Sequence, residues 1–524
     1  MIQLDISEEL LNDPEEVLKI ANKILISQII EGESQRLKKC YDYYEGKEPL
    51  TTFETDQKFV GRVINETKRI VDTATNTFIG TLPDITTTGN KKEKDKISNF
   101  QQKLYDADFD NVFYETCHYA SKSGSGYISL FNDIGDKFPS FRQLNPKFAE
   151  CVYDCSLAKK HIMSYNIIQA NDGDSPNIEL SKYIIYIYTK NRVYSFESPQ
   201  TYSGQTTKPD AIKDIIVKPC FMWKQGEEKL YYIEHNFSDI PLIEIPNNEE
   251  YRGDAECVFD LIALYNELQN NRCKNVYDVV NYILWLKNVP IGNEEETKKV
   301  IQLLKENRIL PTEGEDTDVK FLTNPLDQAQ LQKLADDVLS AIQRISRVPD
   351  LTSVDFSQNA SDPILKIKTK PLLDLCRDKE KKCTRPYKKI ISMVLEWCKK
   401  YADDYEDFSF DISKTRLVYA YELPSNDTDM VNAIAVLQNS KMANPEVLLQ
   451  KLSFIPNVHD YEKGMDKWNE KVDIMKTKSD NNKKGLNETN LDRHNETNPT
   501  GKDKQDNVRN FTKGGAGVLD GIND

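Results

Sequence analysis

The chain has 524 residues, which is long enough for two to four domains and a sizeable buried core. Its formal net charge of −15 excludes a global basic face for nucleic acid or an anionic membrane. No apolar run reaches the roughly 18 residues that span a bilayer, and the start lacks the features of a signal peptide. We therefore expect a protein that is made and kept in a cytosol, with no membrane partner.

The first half of the chain predicts helices followed by short strands. Helical patterns cover 14–45, 65–80 and 97–122, and Gly46 and Gly80 act as helix stops. Gly124-Ser-Gly126 then opens a region of short β-branched and aromatic runs, which predicts strands at 127–131, 183–188, 192–196 and 242–245. The elements do not alternate as in βαβ units, so the predicted class is α+β.

The middle of the chain predicts a long helix followed by a small insert. Asp254 is expected to cap a helix over 255–288, whose apolar residues include Ile283 and Leu286. The insert, 289–326, is predicted to contain a helix and a strand, at 294–306 and 318–322.

Two further helices flank a short polar loop. An amphipathic helix over 327–347 ends at Val348-Pro349, because proline lacks the amide proton and restricts the residue before it. Asp362-Pro363 restarts a helix that runs to about 402. Prolines inside this helix are expected to kink or break it, at 371 and 386. Taken alone, this tract also fits an ordinary helical hairpin.

The C-terminal part of the chain changes from ordered to polar composition. Strands are predicted at 408–412 and 416–421, and two or three helices between 427 and about 476. From Lys478 onward the chain has almost no aliphatic residues, which predicts disorder.

The sequence carries no strong catalytic or metal-binding motif. The phosphate-loop, zinc-protease and serine-hydrolase patterns are missing, and Gly124-x-Gly126 precedes a strand rather than a helix. Cys151 and Cys155 form a CxxxC that has no second ligand pair nearby. We therefore expect no cofactor, no metal and no catalytic residues, and a function that depends on shape and assembly. A cytosolic α+β enzyme with a dispersed active site is the alternative, and a helical scaffold or adaptor protein is another.

The order and spacing of several short motifs resemble the portal (head–tail connector) proteins of tailed bacteriophages, in particular the siphophage type from Gram-positive hosts. The resemblance covers roughly 35–475. Its motifs are Tyr41-x-Tyr-Tyr-x-Gly46, Asn65 followed by Lys68-x-Ile70-Val-Asp72 and Gly80-x-x-Pro83, Gly124-x-Gly126-Tyr127, Pro246-Asn-Asn with Arg252-Gly-Asp254, the helix–loop–kinked-helix tract, and Leu423-Pro-x-Asn426-Asp followed by a helical tail. One departure is Asn359-Ala-Ser-Asp-Pro363, where family members tend to have a Ser-Gly-type sequence before the long helix.

The resemblance implies a dodecameric ring with an axial channel at one capsid vertex of the virion, assembled in the host cytoplasm. The channel would carry double-stranded DNA, without regard to sequence, during packaging and ejection. The implied partners are further copies of the chain, the terminase motor, the head–tail adaptor, and the major capsid and scaffolding proteins. The implied parts are a wing (1–250), stem helices (251–288 and 327–348), a clip (289–326), a tunnel loop (349–362), a kinked long helix with wing strands (363–426), a helical crown (427–477) and a disordered tail (478–524).

The tunnel loop supplies the candidate DNA-contacting residues that the resemblance implies. Small and polar side chains dominate it, namely Asp350, Ser353, Asp355, Ser357, Gln358 and Asn359. Such side chains offer weak contacts or mild repulsion, whereas strong phosphate neutralisation would slow a sliding duplex. Lysines just beyond the loop are candidate channel-wall cations or simply a solvated helix face, at Lys366, Lys368 and Lys370.

Overall fold

The computed structural model shows helices packed on several β-sheets in the first of two units, Met1–Ser425. It describes residues 2–3, 10–25, 35–48, 61–87, 89–132, 135–171, 180–198, 201–202, 217–220, 223–225, 228–280, 283–287, 293, 295, 298, 318–322, 328–352 and 362–421. The second unit, Asn426–Asp524, lies outside the described residues, as do the helices predicted within 427–476 and the tail predicted from 478. The mixed α+β class expected from the sequence is confirmed.

Eight α-helices lie in the described residues: α1 Pro14–Leu25, α2 Gln35–Tyr44, α3 Glu66–Ile79, α4 Lys91–Asp106, α5 Phe109–Ser123, α6 Phe259–Val280, α7 Gln328–Ser346 and α8 Asp362–Tyr401. The predicted helix at 65–80 is confirmed as α3, which Asn65 caps by accepting a 2.9 Å hydrogen bond from the Lys68 amide. The helix predicted at 97–122 starts earlier and divides in two. Asp108 adopts a φ of 54° between α4 and α5, a left-handed conformation that interrupts the helical hydrogen bonds.

The described strands are β1 Ile2–Gln3, β2 Asp84–Thr87, β3 Ser125–Phe131, β4 Ser140–Leu144, β5 Ala149–Tyr153, β6 His161–Asn171, β7 Leu180–Tyr188, β8 Arg192–Glu197, β9 Thr201–Tyr202, β10 Lys218–Pro219, β11 Trp223–Gln225, β12 Glu228–Leu230, β13 Tyr232–Glu234, β14 Leu242–Pro246, β15 Ile283–Lys287, β16 Asp318–Leu322 and β17 Thr415–Val418. The strands predicted in the first half of the chain are confirmed within β3, β7, β8 and β14.

The largest sheet has the order β1-β5-β6-β7-β8-β10, with β9 paired to β7 and β13 paired to β8. Its β6–β7 and β7–β8 pairs are antiparallel hairpins, whereas β1 joins β5 in parallel. Helix α1 covers this sheet with a stripe at helical spacing, Val17, Ala21 and Leu25, which packs with buried Ile185 and Tyr194. The sheet and α1 therefore form a core of their own.

A second, larger core joins a three-stranded sheet, β14-β3-β4, to helices from both halves of the chain. The ring centroids of Phe113 on α5 and Tyr387 on α8 are 4.9 Å apart, and Phe109 lies 4.6 Å from Phe141 on β4. Ile342 on α7 is fully buried in the same cluster. This core fixes both helices that flank the predicted loop.

The helix predicted over 255–288 is shorter than expected. It ends at Val280, and Ile283 and Leu286, which were assigned to its apolar stripe, lie in strand β15, which pairs antiparallel with β16. An unbroken run of apolar residues fits a strand as well as a helix, and pairing with 318–322 selects the strand. The start is also corrected, because a 3₁₀ turn, Glu256–Val258, precedes α6 and Asp254 does not cap it.

The strand predicted at 408–412 is wrong. Phe408 and Phe410 instead lie between two 3₁₀ turns and pack on Phe100, with ring centroids 6.2 and 5.3 Å away. Burial of these rings determines the local conformation, and it outweighs the strand propensity of the segment. The following strand is present as β17, which pairs with β2 but ends at Val418 rather than at 421.

The helix does not break at Pro371 or Pro386, where the sequence predicts a kink or a break. Helix α8 runs through both prolines for 40 residues. Buried neighbours hold the helix on each side, since Leu372 and Tyr387 lie in the large core. Pro371 itself is exposed, so water can solvate the carbonyl that loses its partner there.

Candidate functional site

The loop between α7 and α8 begins at a residue that is buried in the large core. Helix α7 ends at Ser346, and Arg347 takes a φ of 62° that turns the chain out of the helix. Val348 is fully buried, and its amide donates a 3.3 Å hydrogen bond to the Ser346 hydroxyl. The stop predicted at Val348-Pro349 is therefore confirmed, and the start of the loop is part of the core.

Arg69 on α3 also holds the start of the loop in place. Its Nη1 donates hydrogen bonds to the carbonyls of Val348 and Pro349, over 3.5 and 3.2 Å, and its Nε donates to Glu66 over 2.6 Å. Arg347 forms a further bridge, 3.0 Å from Asp378 on α8. These contacts fix the start of the loop against α3 and α8.

Asp350 is the one predicted channel residue of the loop that lies within the described residues. Its Oδ1 accepts hydrogen bonds from the amide and hydroxyl of Thr352, at 2.9 and 2.7 Å. This Asx-type turn uses the carboxylate to shape the backbone. The other predicted loop residues lie outside the described part of the chain, namely Ser353, Asp355, Ser357, Gln358 and Asn359.

The three lysines after the loop lie in the first turns of α8 and do not share one face. Lys366 and Lys370, four residues apart, are exposed on one side of the helix. Lys368 is half-buried on another side, since two residues correspond to about 200° of rotation. Ile364 and Ile367 are exposed nearby, so the start of α8 presents apolar and cationic groups together.

A buried ion pair fixes α8 to the body further along the helix. The Lys379 ammonium lies 2.5 Å from Asp254 Oδ2 and donates a 2.6 Å hydrogen bond to the Ser121 hydroxyl. Asn247 donates to the other carboxylate oxygen over 2.9 Å. Lys379 and Asp254 are 3% and 8% exposed. Both charges are therefore paired and hydrogen-bonded, as burial requires.

Glycines allow the chain segments around this ion pair to approach closely. A Cβ at Gly126 would lie 2.0 Å from the Thr116 carbonyl oxygen, and one at Gly253 would lie 2.4 Å from that of Lys122. The motifs Gly124-x-Gly126 and Arg252-Gly-Asp254 are thus in close contact. The sequence did not predict this contact. The available signal was Lys379 itself, a charge within an apolar helical stripe.

His118 lies in a structural hydrogen-bond network rather than in a catalytic triad. His118 Nε2 lies 3.1 Å from both Asp72 Oδ1 and the Tyr44 hydroxyl, and Lys68 lies 3.0 Å from Asp72. Burial would raise the pKa of Asp72, but hydrogen bonds from His118 and Lys68 lower it overall. A charged carboxylate, a tyrosine and a lysine on this imidazole form a structural network without a serine or cysteine nucleophile.

Within the described residues, no group of three or more His, Cys, Asp or Glu side chains is arranged to hold a metal ion. No described helix is long and apolar enough to cross a membrane.

Comparison of the sequence with known proteins points to one class, the phage portal proteins. A family model described as "Phage portal protein, SPP1 Gp6-like" matches residues 25–494, which is most of the chain. The chain therefore belongs to the SPP1 Gp6-like family of phage portal proteins. The expected resemblance to siphophage portal proteins is confirmed.

One curated relative is the portal protein of Bacillus phage SPP1. It is 22% identical to this chain over 291 residues, which covers 54% of the chain and 52% of the relative. The match thus spans about half the length of that relative.

Proposed function

We propose that the chain assembles into a dodecameric ring at one vertex of the phage capsid. The ring is the channel for double-stranded DNA during packaging and ejection, and it docks the terminase motor and later the head–tail adaptor. The major capsid and scaffolding proteins contact the same ring during assembly in the host cytoplasm. In this proposal the chain has no catalytic role. Membership of the portal family is the observation that most directly supports the proposed portal role.

Exposed apolar residues on the flanking helices support ring assembly. Large apolar side chains are exposed on all three long helices, at Leu264 on α6, Leu334 and Ile345 on α7, and Ile364 and Ile367 on α8. Ile367 is 73% exposed. These exposed side chains supply apolar surface that a further subunit would cover in the ring.

The parts of the ring follow the chain with one adjusted boundary. We assign 1–250 and 363–426 to the wing, 327–348 to the stem, 427–477 to the crown and 478–524 to a tail outside the ring. Helix α6 supplies the other stem helix. Because α6 ends at Val280, the strands β15 and β16 belong with the clip insert rather than with the stem.

The loop 349–362 is the part of the ring that we propose to face DNA. Its start is fixed by Arg69 and by the buried Val348, so each subunit would present the loop at the same height. Its polar residues would contact the phosphates weakly, which permits sliding. Lys366 and Lys370 would add limited positive charge at the channel wall, and Lys368 lies on another face of α8.

Light scattering combined with negative-stain imaging tests the ring. We expect particles of about twelve subunits with a central opening. Replacing Leu334 and Ile367 with aspartate should release smaller species, because charged side chains cannot be buried at the apolar contact. Tyr105→Asp on α4, an exposed position outside the three long helices, is the control and should leave the ring intact. A monodisperse 60.4 kDa particle at micromolar concentration would contradict the proposal.

A further inference from the structure

A basic cleft lies between α8 and the turns at one end of the largest sheet, within the first unit of the chain. Its volume is about 1150 Å³. One wall is a face of α8 that carries five cations, Lys381, Lys382, Arg385, Lys388 and Lys389. The opposite wall carries three more, Lys159 and Lys160 on the β5–β6 turn and Lys190 on the β7–β8 turn.

This concentration of positive charge runs against the composition of the chain, whose net charge is −15. The acidic residues of the lining offset it only in part. Asp239 lies 2.7 Å from Lys389, and Glu244 is buried beneath Tyr127 and Tyr153, which donate to its carboxylate. Glu396, on α8, is exposed. The cleft is therefore an electropositive region on an otherwise acidic protein.

Several cations of the cleft are not used by the fold. Lys159, Lys190 and Arg385 are exposed, and none of them forms an ion pair or side-chain hydrogen bond with another described residue. Lys388, by contrast, donates to the Thr415 carbonyl over 3.0 Å, and Lys381 pairs with Asp378 at 3.0 Å. Both walls thus contribute cations that are available to an external anion.

The cleft also offers apolar surface. Leu157 at its rim is 107% exposed, so a large aliphatic side chain lies beside the cations. A phosphate backbone gains nothing from this residue, whereas a peptide that carries both acidic and aliphatic side chains uses both kinds of contact.

The size of the cleft and its aromatic lining argue in the same direction. Its volume is slightly above the range of about 300–1,000 Å³ typical of small-ligand sites, which suits a short extended segment rather than a duplex. Single-stranded nucleic acid binds through free aromatic faces. The Tyr153 ring is already packed on His161, with centroids 5.3 Å apart, and its hydroxyl donates to Glu244. The other lining tyrosine, Tyr251, is half-buried.

We propose that this cleft docks an acidic, leucine-containing peptide segment of a partner protein. The inference goes beyond the proposed DNA channel and does not depend on it. A ring that conducts DNA without binding such a peptide would contradict only the docking site, and a monomer that binds the peptide would contradict only the ring.

Fluorescence anisotropy with the full-length protein tests the proposal. The probe is a labelled peptide of alternating Glu and Leu, compared with the same peptide carrying Gln in place of Glu. We expect the acidic peptide to bind and the neutral peptide to bind at least about tenfold more weakly. Added salt should weaken the acidic complex, because the cations lie at the surface.

Charge-reversal variants locate the binding. Lys190→Glu with Arg385→Glu changes both walls and removes no described ion pair, so we expect at least about tenfold weaker binding with an unchanged melting temperature. Lys91→Glu with Lys92→Glu on α4 is the matched control, with the same change in net charge at exposed positions, and it should bind as the wild type does. Leu157→Ser should weaken the acidic peptide severalfold without any change in wall charge.

Three results would overturn the proposal. Failure of the acidic peptide to bind at millimolar concentration would show that the cleft is not a docking site. Equal loss of binding in the α4 control would show that binding depends on the net charge of the protein and not on the cleft. Displacement of the peptide by an unlabelled single-stranded oligonucleotide at equal concentration, with Leu157→Ser having no effect, would reassign the cleft to nucleic acid.

Discussion

Lys379 lies in the apolar stripe of α8, where Leu372, Cys376 and Cys383 are fully buried at helical spacing. A lysine at such a position needs a partner, because an unpaired buried charge costs several kcal/mol. Its partner, Asp254, is 125 residues away in sequence, so no local pattern identifies it. The pair fixes the middle of α8 to the turn that precedes α6.

Removing one member of this pair should destabilise the protein strongly. We expect Lys379→Met to lower the free energy of unfolding by about 3–5 kcal/mol, since Asp254 would remain buried without its cation. The measurement is urea unfolding followed by circular dichroism. Arg347→Ala, which breaks the exposed pair with Asp378, is the control and should cost less than about 1 kcal/mol. Equal effects of the two substitutions would show that the buried pair has no special role.

Glu244 makes stability depend on pH. Burial raises the pKa of its carboxyl from 4.5 to about 7, although hydrogen bonds from Tyr153 and Tyr127 oppose the shift. The folded state therefore binds this proton more tightly than the unfolded chain. The stability that Glu244 contributes is present below a pH of about 4.5 and is lost as the pH rises through about 7.

Glu244→Gln should remove this part of the pH dependence. Relative to the variant, we expect the melting temperature of the wild type to fall as the pH rises from about 5 to about 8. The difference between the two proteins is informative because Glu48, whose pKa burial also raises to about 7, is present in both. Parallel melting curves across this range would mean that Glu244 stays charged in the folded protein.

Periodicity in the sequence predicted helices and strands well where one face of the element is buried. It predicted them poorly where contact with a distant segment determines the local conformation. The helices at 66–79 and 328–346 follow the apolar spacing closely. The strand at 283–287 does not, because its partner lies beyond an insert and its apolar run is compatible with either conformation. Long-range packing likewise overrides the strand propensity of 408–412 and keeps α8 continuous past Pro371.

Long-range contacts also limited what the sequence could predict about the candidate site. Sequence alone located the loop between α7 and α8 and the stop at Val348. It did not identify Arg69, which fixes the loop from a helix some 280 residues earlier. Nor did it predict the cationic cleft, because Lys159, Lys190 and Arg385 are brought together only by the fold. Long-range side-chain contacts of this kind leave no periodic signal.

The loop should influence DNA passage more than stability. Replacing Ser357, Gln358 and Asn359 with alanine should keep intact rings and lower the DNA packaged per capsid. Asp355→Lys should act more strongly, because a ring of new cations in a narrow channel would hold phosphates and slow sliding. The two measurements are packaged DNA per capsid and ring integrity by electron microscopy. Normal packaging by the lysine variant would show that this loop does not face the duplex.

The described apolar clusters all lie within the first unit of the chain. Two apolar clusters within the first unit join α1 to the largest sheet and α3–α8 to the smaller sheet β14-β3-β4. The exposed apolar residues proposed to meet neighbouring subunits also lie in this unit, on α6, α7 and α8. In the proposed ring, assembly and folding would therefore rest on the same helices.

A chain that ends at residue 477 should consequently assemble and melt as the full chain does. The segment 478–524 has too few aliphatic side chains to offset the entropy of ordering it, so its removal should cost little free energy. Light scattering reports the ring size and calorimetry the melting temperature. A second truncation at residue 426 also removes the proposed crown and serves as the contrasting case, with altered rings expected. Failure of the first truncation to form rings would mean that the tail is ordered and packs on the assembly.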